Sequence, residues 1–191
     1  TKLYSASAKI IITTKDTKTA GSQAAVFSDL GVTGSNNIIS NEIYKLKSTS
    51  LMETVVNQLG LNIRYYGHVY LRDVNIYKTS PVQITPLQDV KAPFSMTVVP
   101  KGGNNLEFRI NEGEWKKARF GNKVNTDVGP IAITKTSHYD ETYVDFKTIA
   151  RVAPVAQVAK ALEGNLKAEC ADKFSDVVNL TFTADNNQMC I

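Results

Sequence analysis

The stretch from Leu61 to about Phe146 constrains the fold most. It carries a succession of short apolar runs: Ile63 and Tyr65, Val69 and Leu71, Val82 and Ile84, then Phe94, Met96 and Val98, Leu106, Phe108 and Ile110, and Val128, Ile131 and Ile133. Apolar and polar residues alternate in most of them, the period-2 signature of strands with one buried face. Turn chemistry separates the runs at Ser80-Pro81, Pro100-Lys101-Gly102-Gly103-Asn104, Asn111-Glu112-Gly113 and Gly129-Pro130. Between 90 and 136 the runs recur roughly every ten residues, which predicts a small antiparallel module inserted into the fold.

The flanking segments bring in helices. Tyr4, Ala6, Ala8, Ile10 and Ile12 alternate with Ser5, Ser7, Lys9 and Thr13, and predict an N-terminal strand. From Lys15 to Asn37 the chain is rich in Thr, Gly, Ser and Asn and reads as a long loop, with one helical turn around Ala24 to Leu30. A helix capped by Asn37 or Ser40 is expected next. It carries Ile39, Ile43, Leu46, Met52, Val55, Val56 and Leu59 at helical spacing, bends at Ser48-Thr49-Ser50 and ends at Gly60. Pro154 is placed as the first residue of another helix, with Val155, Val158, Ala159, Leu162 and Leu166 on one face. Val178, Leu180 and Phe182 form a last strand, and Asp185-Asn186-Asn187 reads as the cap of a further helix. The order of elements predicts an α+β fold, a mixed or antiparallel sheet flanked by helices, with a β-rich insertion at about 90–136 in a single domain over residues 1–191.

Composition narrows the function classes. With 191 residues, 42% hydrophobic and 21% charged, the chain can bury one core without staples. The formal net charge of +4 is spread along the chain. Only Lys116-Lys117-Ala118-Arg119 clusters, and that segment reads as a solvated strand or turn, so no nucleic-acid partner is expected. No stretch approaches the roughly 18 apolar residues of a membrane span, and no charged-then-apolar leader occurs. The start at Thr1 and the stop at Asn187-Gln188-Met189-Cys190-Ile191 both read as cut ends. Cys170 and Cys190 are too few for a disulfide framework, their spacing fits no metal motif, and buried thiols are the default expectation.

A search for chemistry finds no catalytic, cofactor-binding or metal-ligating residues. The two histidines, His68 and His138, lack the company of a nucleophile, and His138-Tyr139-Asp140-Glu141 reads as a polar turn. Gly102-Gly103 leads into a strand and not into a helix, so it predicts a hairpin and not a phosphate cradle. Tyr65, Tyr66, Tyr70 and Tyr77 are explained by strand propensity, with stacking on sugar rings as the functional alternative.

The order of motifs carries more information than any one of them. Tyr4-x-Ala6, Phe27-x-x-Leu30, the run Asn41-Glu42-Ile43-Tyr44-Lys45-Leu46-Lys47-Ser48, the continuation from Leu51 to Leu59-Gly60-Leu61, and Tyr77-x-x-Ser80-Pro81-Val82 appear in this sequence. Val178-Asn179-Leu180-Thr181-Phe182 follows near the C-terminus. Together, over roughly 1–85 and 142–191, they resemble the Wzz-type chain length determinant domain of bacterial polysaccharide co-polymerases, in the version attached to a Wzc-like tyrosine autokinase. The stretch between about 90 and 136 departs from the shortest members.

That resemblance implies a periplasmic, extracytoplasmic domain of an inner-membrane protein that regulates the chain length and export of capsule or exopolysaccharide. The domain would sit between two membrane helices outside these 191 residues. It implies self-association into rings in the full-length protein, and the polysaccharide polymerase and export machinery as partners. No cofactor and no enzymatic activity are implied for this part, since the motifs of the tyrosine kinase are absent from it. A second expectation, of a different class, is a carbohydrate-binding module in which the tyrosines of 65–77 or Trp115 contact a surface polysaccharide.

Overall fold

A computed structural model describes residues 3–13, 35–69, 72–172 and 176–184. Among them the chain forms twelve strands and three α-helices, an α+β arrangement in which every strand pairing is antiparallel. The chain divides into two compact units, residues 1–54 with 159–191, and residues 55–158.

The first unit is built on the two ends of the described chain. Strand β1 (Tyr4–Ile11) pairs along its whole length with β12 (Val177–Ala184), from Tyr4 opposite Ala184 to Ile11 opposite Val177. On its other side β12 pairs with β11 (Leu166–Cys170), giving the order β1-β12-β11. Helix α1 (Ser35–Leu46) contributes Ile39, buried with Ala168 and Val178, and Ile10, Ile12, Ile43 and Leu180 pack around them. The alternation expected of β1 is visible in Ala6, Ile10 and Ile12, which are half-buried, whereas Tyr4 and Ala8 are exposed.

The structure replaces the single bent helix with two. Helix α1 starts at Ser35, upstream of both expected caps, and stops at Leu46; α2 runs over Thr49–Leu59. Ser48 explains the break, because its hydroxyl accepts the Leu51 N–H at 3.3 Å and so caps a new N-terminus instead of bending an old helix. Gly60 ends α2 as expected. It adopts φ +62°, which lets the Leu61 N–H reach the Val56 carbonyl at 3.0 Å, the six-to-one bond of a Schellman stop.

The second unit is a two-layer β structure. One sheet has six strands in the order β3-β2-β10-β5-β6-β7, formed by β2 (Ile63–Val69), β3 (Arg72–Asn75), β5 (Phe94–Pro100), β6 (Asn105–Ile110), β7 (Lys116–Arg119) and β10 (Thr148–Val152). The other has the order β4-β9-β8, from β4 (Val82–Pro86), β8 (Lys123–Thr126) and β9 (Gly129–Lys135). Val82, Ile84, Ile131 and Ile133 of the small sheet share one core with Ile63, Phe94, Met96, Val98, Leu106, Phe108, Ala150 and Val152 of the large one. Burying these side chains supplies the main driving force for this unit, at roughly 1.5–3 kcal/mol for each large one.

Several expectations change at this point. The 90–136 stretch is not self-contained, since β5 pairs with β10 and β9 with β4, both outside it. Val128 lies in the turn Asp127-Val128 between β8 and β9, and not in a strand. Residues 141–143 form a short 3-10 turn where the sequence reads as the end of a strand, and the strand itself follows as β10. The C-terminal helix α3 covers Val155–Asn165 after Pro154, whose carbonyl accepts the Val158 N–H at 3.2 Å. Leu166 therefore opens β11 instead of extending the helix. Cys170 is exposed, against the expectation of a buried thiol. The loop expected over 15–37, apart from its last residues in α1, together with Tyr70, Cys190 and the cap at Asp185-Asn186-Asn187, lies outside the described residues.

Candidate functional site

The strand alternation gives the six-stranded sheet two unlike faces. Ile63, Phe94, Met96, Val98, Leu106, Phe108, Ala150 and Val152 turn one face into the core. The residues between them point the other way: Arg64, Tyr66 and His68 on β2, Ile149 and Arg151 on β10, Ser95, Thr97 and Val99 on β5, and Glu107 and Arg109 on β6. Register then fixes neighbours. Arg151 stands opposite Arg64 on one side and Ser95 on the other, while Ile149 stands between Tyr66 and Thr97, and Thr97 opposite Arg109.

Two arginine–aromatic stacks mark this face. The Arg151 guanidinium lies 4.6 Å from the centre of the Tyr66 ring, and that of Arg109 lies 5.2 Å from the Trp115 ring. Such contacts contribute about 0.5–1 kcal/mol at exposed sites and hold the guanidinium plane in place. Tyr66 and Arg109 are three strands apart, so at a strand spacing of about 4.8 Å the two stacks are on the order of 14 Å from each other.

Several acidic groups among the described residues are engaged near this face, including Glu112, 3.9 Å from Arg109. On the hairpin edge, Asp73 stands opposite His68 and hydrogen-bonds its Nδ1 at 2.9 Å through one oxygen, with the other 4.0 Å from Arg151. Across the sheet Glu107 lies 3.6 Å from Lys101, which is bonded more closely to Asp145 at 2.7 Å. The Asp145 carboxylate raises the Lys101 ammonium above the ordinary lysine range, chiefly by that hydrogen bond.

Beside Arg64 and Arg151 the sheet opens into a cleft of about 330 Å³, lined also by Leu61, Asn62, Pro93, Phe94, Ser95, Val152, Ala153 and Val158. A second cleft, of about 490 Å³, includes Gln58, Tyr65, Tyr77, Lys78, Thr136 and His138.

The aromatic residues singled out from sequence do not share one surface. Tyr65 turns inward, and its hydroxyl both accepts the Ile84 N–H at 2.9 Å and donates to the Ile84 carbonyl at 3.4 Å. Burial raises its phenol above the ordinary tyrosine range, partly offset by the Ile84 bond. Tyr77 donates to the Leu59 carbonyl at 3.2 Å. Tyr66 and Trp115 stay on the outer side, and Trp115 is 47% exposed. His138 is exposed in a turn in which Asp140 caps residues 141–143 by accepting the Thr142 N–H at 2.8 Å. Gly102-Gly103, both at positive φ, joins β5 to β6 as a hairpin. Lys116-Lys117-Ala118-Arg119 forms β7, an exposed edge strand.

The Arg64–Arg151 juxtaposition is invisible in the sequence, because it arises only from the pairing of β2 with β10. Among the described residues, no group of three or more His, Cys, Asp and Glu is placed to hold a metal ion, and no helix is long and apolar enough to cross a membrane. No protein-family model and no curated protein matches the chain.

Proposed function

We propose that this chain is the extracytoplasmic, oligomerising domain of an inner-membrane regulator of polysaccharide chain length and export. The observation that carries the reading is the β1–β12 pair. Antiparallel pairing with Tyr4 opposite Ala184 makes the chain enter and leave the first unit at the same end of one sheet. A domain held between two helices that cross the same membrane needs this geometry, since both connections must approach one plane. The resemblance of the Asn41–Ser48 and Leu51–Leu61 segments to the Wzz-type domain supplies the family context.

Exposed apolar groups on the helices support self-association. Tyr44 of α1 is 75% exposed, and Leu51 of α2 is exposed as well, among polar neighbours such as Ser40, Asn41, Lys45 and Thr54. An interface with an aromatic centre and a polar rim has this composition. Length control would then follow from assembly geometry, with no bond made or broken by this part. Deleting the gene and analysing the surface polysaccharide by gel tests the reading. A shift or collapse of the length distribution is expected, and an unaltered distribution would refute it.

A second reading, binding of the polysaccharide itself, is favoured by the outer face of the six-stranded sheet. Arginine–aromatic stacks combine flat apolar surface with fixed hydrogen-bond donors, a combination suited to sugars.

A further inference from the structure

We infer that β1 is an assembly edge: it pairs with β11 of a second copy of this chain and carries the three-stranded sheet of the first unit from one protomer into the next. The inference rests on the oligomerising-domain reading above and names the surface through which copies meet.

The sheet edges are not alike. An exposed edge strand offers a row of unpaired N–H and C=O groups to any other chain, and proteins blunt such edges by keeping them short, charging them or bonding their outer groups elsewhere. Among the described residues, four of the six sheet edges are blunted in these ways. Strands β3 and β8 have four residues each, with Arg72 and Asp73 on one and Lys123 on the other, and three of the four residues of β7 are basic. On β4 side chains occupy the outer backbone groups. The Tyr65 hydroxyl holds the N–H and carbonyl of Ile84, and the Ser80 hydroxyl donates to the Val82 carbonyl at 2.6 Å and accepts from its N–H at 3.3 Å.

Strand β1 has none of these devices. It has eight residues where the other edges have four or five, contains no proline and carries a single charge, Lys9. Its one-for-one register with β12 leaves no bulge to twist it away. Ser5, Ser7, Ala8, Lys9 and Ile11 are exposed, and no backbone hydrogen bond joins the outer side of residues 5–11 to another described residue.

The opposite edge of the same sheet is its complement. Both β1 and β11 run antiparallel to β12, so they share one direction, and a second copy displaced along the sheet brings its β11 beside β1 as a parallel pair. Register aligns Lys9 with Asn179 and Asn179 with Glu169, and all three alternate with the residues that pack on α1, so they share the other face. An unstaggered second copy then sets its Glu169 beside Lys9. Both residues are exposed, and neither forms an ion pair among the described residues. Opposite charges at neighbouring positions on adjacent strands favour a pairing and fix its register, a gain that two copies of β1 paired with each other would lack. By the same alignment Ile11, 72% exposed, gains Ala171 as an apolar neighbour. Because Ile39 and Ile43 of α1 pack on the inward face, a continuous sheet also sets the α1 helices of adjacent copies in one layer, and the exposed Tyr44 belongs to that layer. Joining unlike edges is a heterologous contact, the kind that builds rings or filaments.

The test applies a carbodiimide, which joins an amine to a carboxylate in contact, to an equal mixture of ordinary and isotope-labelled 191-residue protein at increasing concentration. Covalent dimers with a Lys9–Glu169 link between a labelled and an unlabelled peptide are expected. In sedimentation equilibrium, Lys9→Glu and Glu169→Lys should each weaken association about fivefold or more, and the double variant should return to within about twofold of the unaltered protein, since the pair is then reversed and not lost. Circular dichroism verifies the fold of each variant. Links confined to single chains, dimers joined elsewhere, a monomer at every concentration, or a double variant no better than the single ones would each overturn the edge. Dimers joined elsewhere sink the edge and leave the assembly reading standing, whereas the Lys9–Glu169 link with an unaltered polysaccharide length after gene deletion keeps the edge and sinks the regulator reading.

Discussion

Replacing Tyr65 with Phe should destabilise the second unit by about 2 kcal/mol, for a reason that can be traced atom by atom. Strand β4 is an edge strand of its sheet, so the backbone groups of Ile84 that do not face β9 have no strand to pair with. Ile84 is 2% exposed, and water does not reach those groups easily. The Tyr65 hydroxyl satisfies both, accepting from the N–H at 2.9 Å and donating to the carbonyl at 3.4 Å. Phe removes one oxygen and leaves a buried donor and a buried acceptor without partners. An orphaned group costs about 1–3 kcal/mol, and the longer bond to the carbonyl contributes the smaller share. For a unit of about 100 residues this lowers the melting temperature by on the order of 10 °C.

Urea unfolding followed by circular dichroism measures the loss, and pH gives a second signature. Burial raises the folded-state pKa of Tyr65 above 10.0, so its contribution is complete below pH 10. Above that the unfolded chain ionises while the native one does not, and stability falls as pH climbs toward the raised value. Phe cannot ionise, so the gap between wild type and Tyr65→Phe should narrow above pH 10. A loss below about 0.5 kcal/mol, or a gap that is constant with pH, would refute the assignment of Tyr65 as the link between the two sheets.

Two further outcomes follow from local geometry. Gly67→Ala would place a Cβ 2.7 Å from Cζ of Phe146, whose ring is fixed edge-on against Tyr143 at 5.3 Å; a loss of about 1–3 kcal/mol in urea unfolding is expected, and a neutral or stabilising result would show that the ring yields. Asp140 has a carboxyl pKa below its usual 3.8, because the Thr142 hydroxyl and N–H both donate to it. Its contribution is therefore present above pH 3.8 and lost as pH falls below that value, so Asp140→Asn should flatten the acid limb of the thermal stability profile, and an unchanged limb would contradict the cap.

Much of the β architecture could be read from the sequence, because a half-buried strand leaves alternation behind. Val178, Leu180 and Phe182, and Leu106, Phe108 and Ile110, are strands where the pattern places them. Other strands are hidden, and for β10 and β11 the reasons are physical. In β10 the inward positions Thr148 and Ala150 are polar or small while the large apolar Ile149 turns outward, so apolar character does not alternate with burial, and the preceding 3-10 turn masks the start. In β11 Leu166 falls four residues after Leu162, so helical spacing continues across the point where α3 passes directly into a strand. The break between α1 and α2 turned on one hydroxyl, Ser48, whose capping bond and whose bending effect leave the same trace in a sequence.

The candidate site was less legible than the fold. Trp115 stands in the sequence only as a candidate sugar contact, and the inward turn of Tyr65 and the outward one of Tyr66 depend on which face of β2 is buried. The meeting of Arg64 and Arg151 depends on the register of two strands far apart in sequence. Neither residue type nor spacing signals such a pair, and only the pairing of β2 with β10 creates it.

Amine-reactive cross-linking in intact cells tests the proposed assembly role most directly. The account predicts a ladder of discrete oligomers that is weakened by Tyr44→Glu in the exposed face of α1. A protein that remains monomeric at every cross-linker concentration would contradict it.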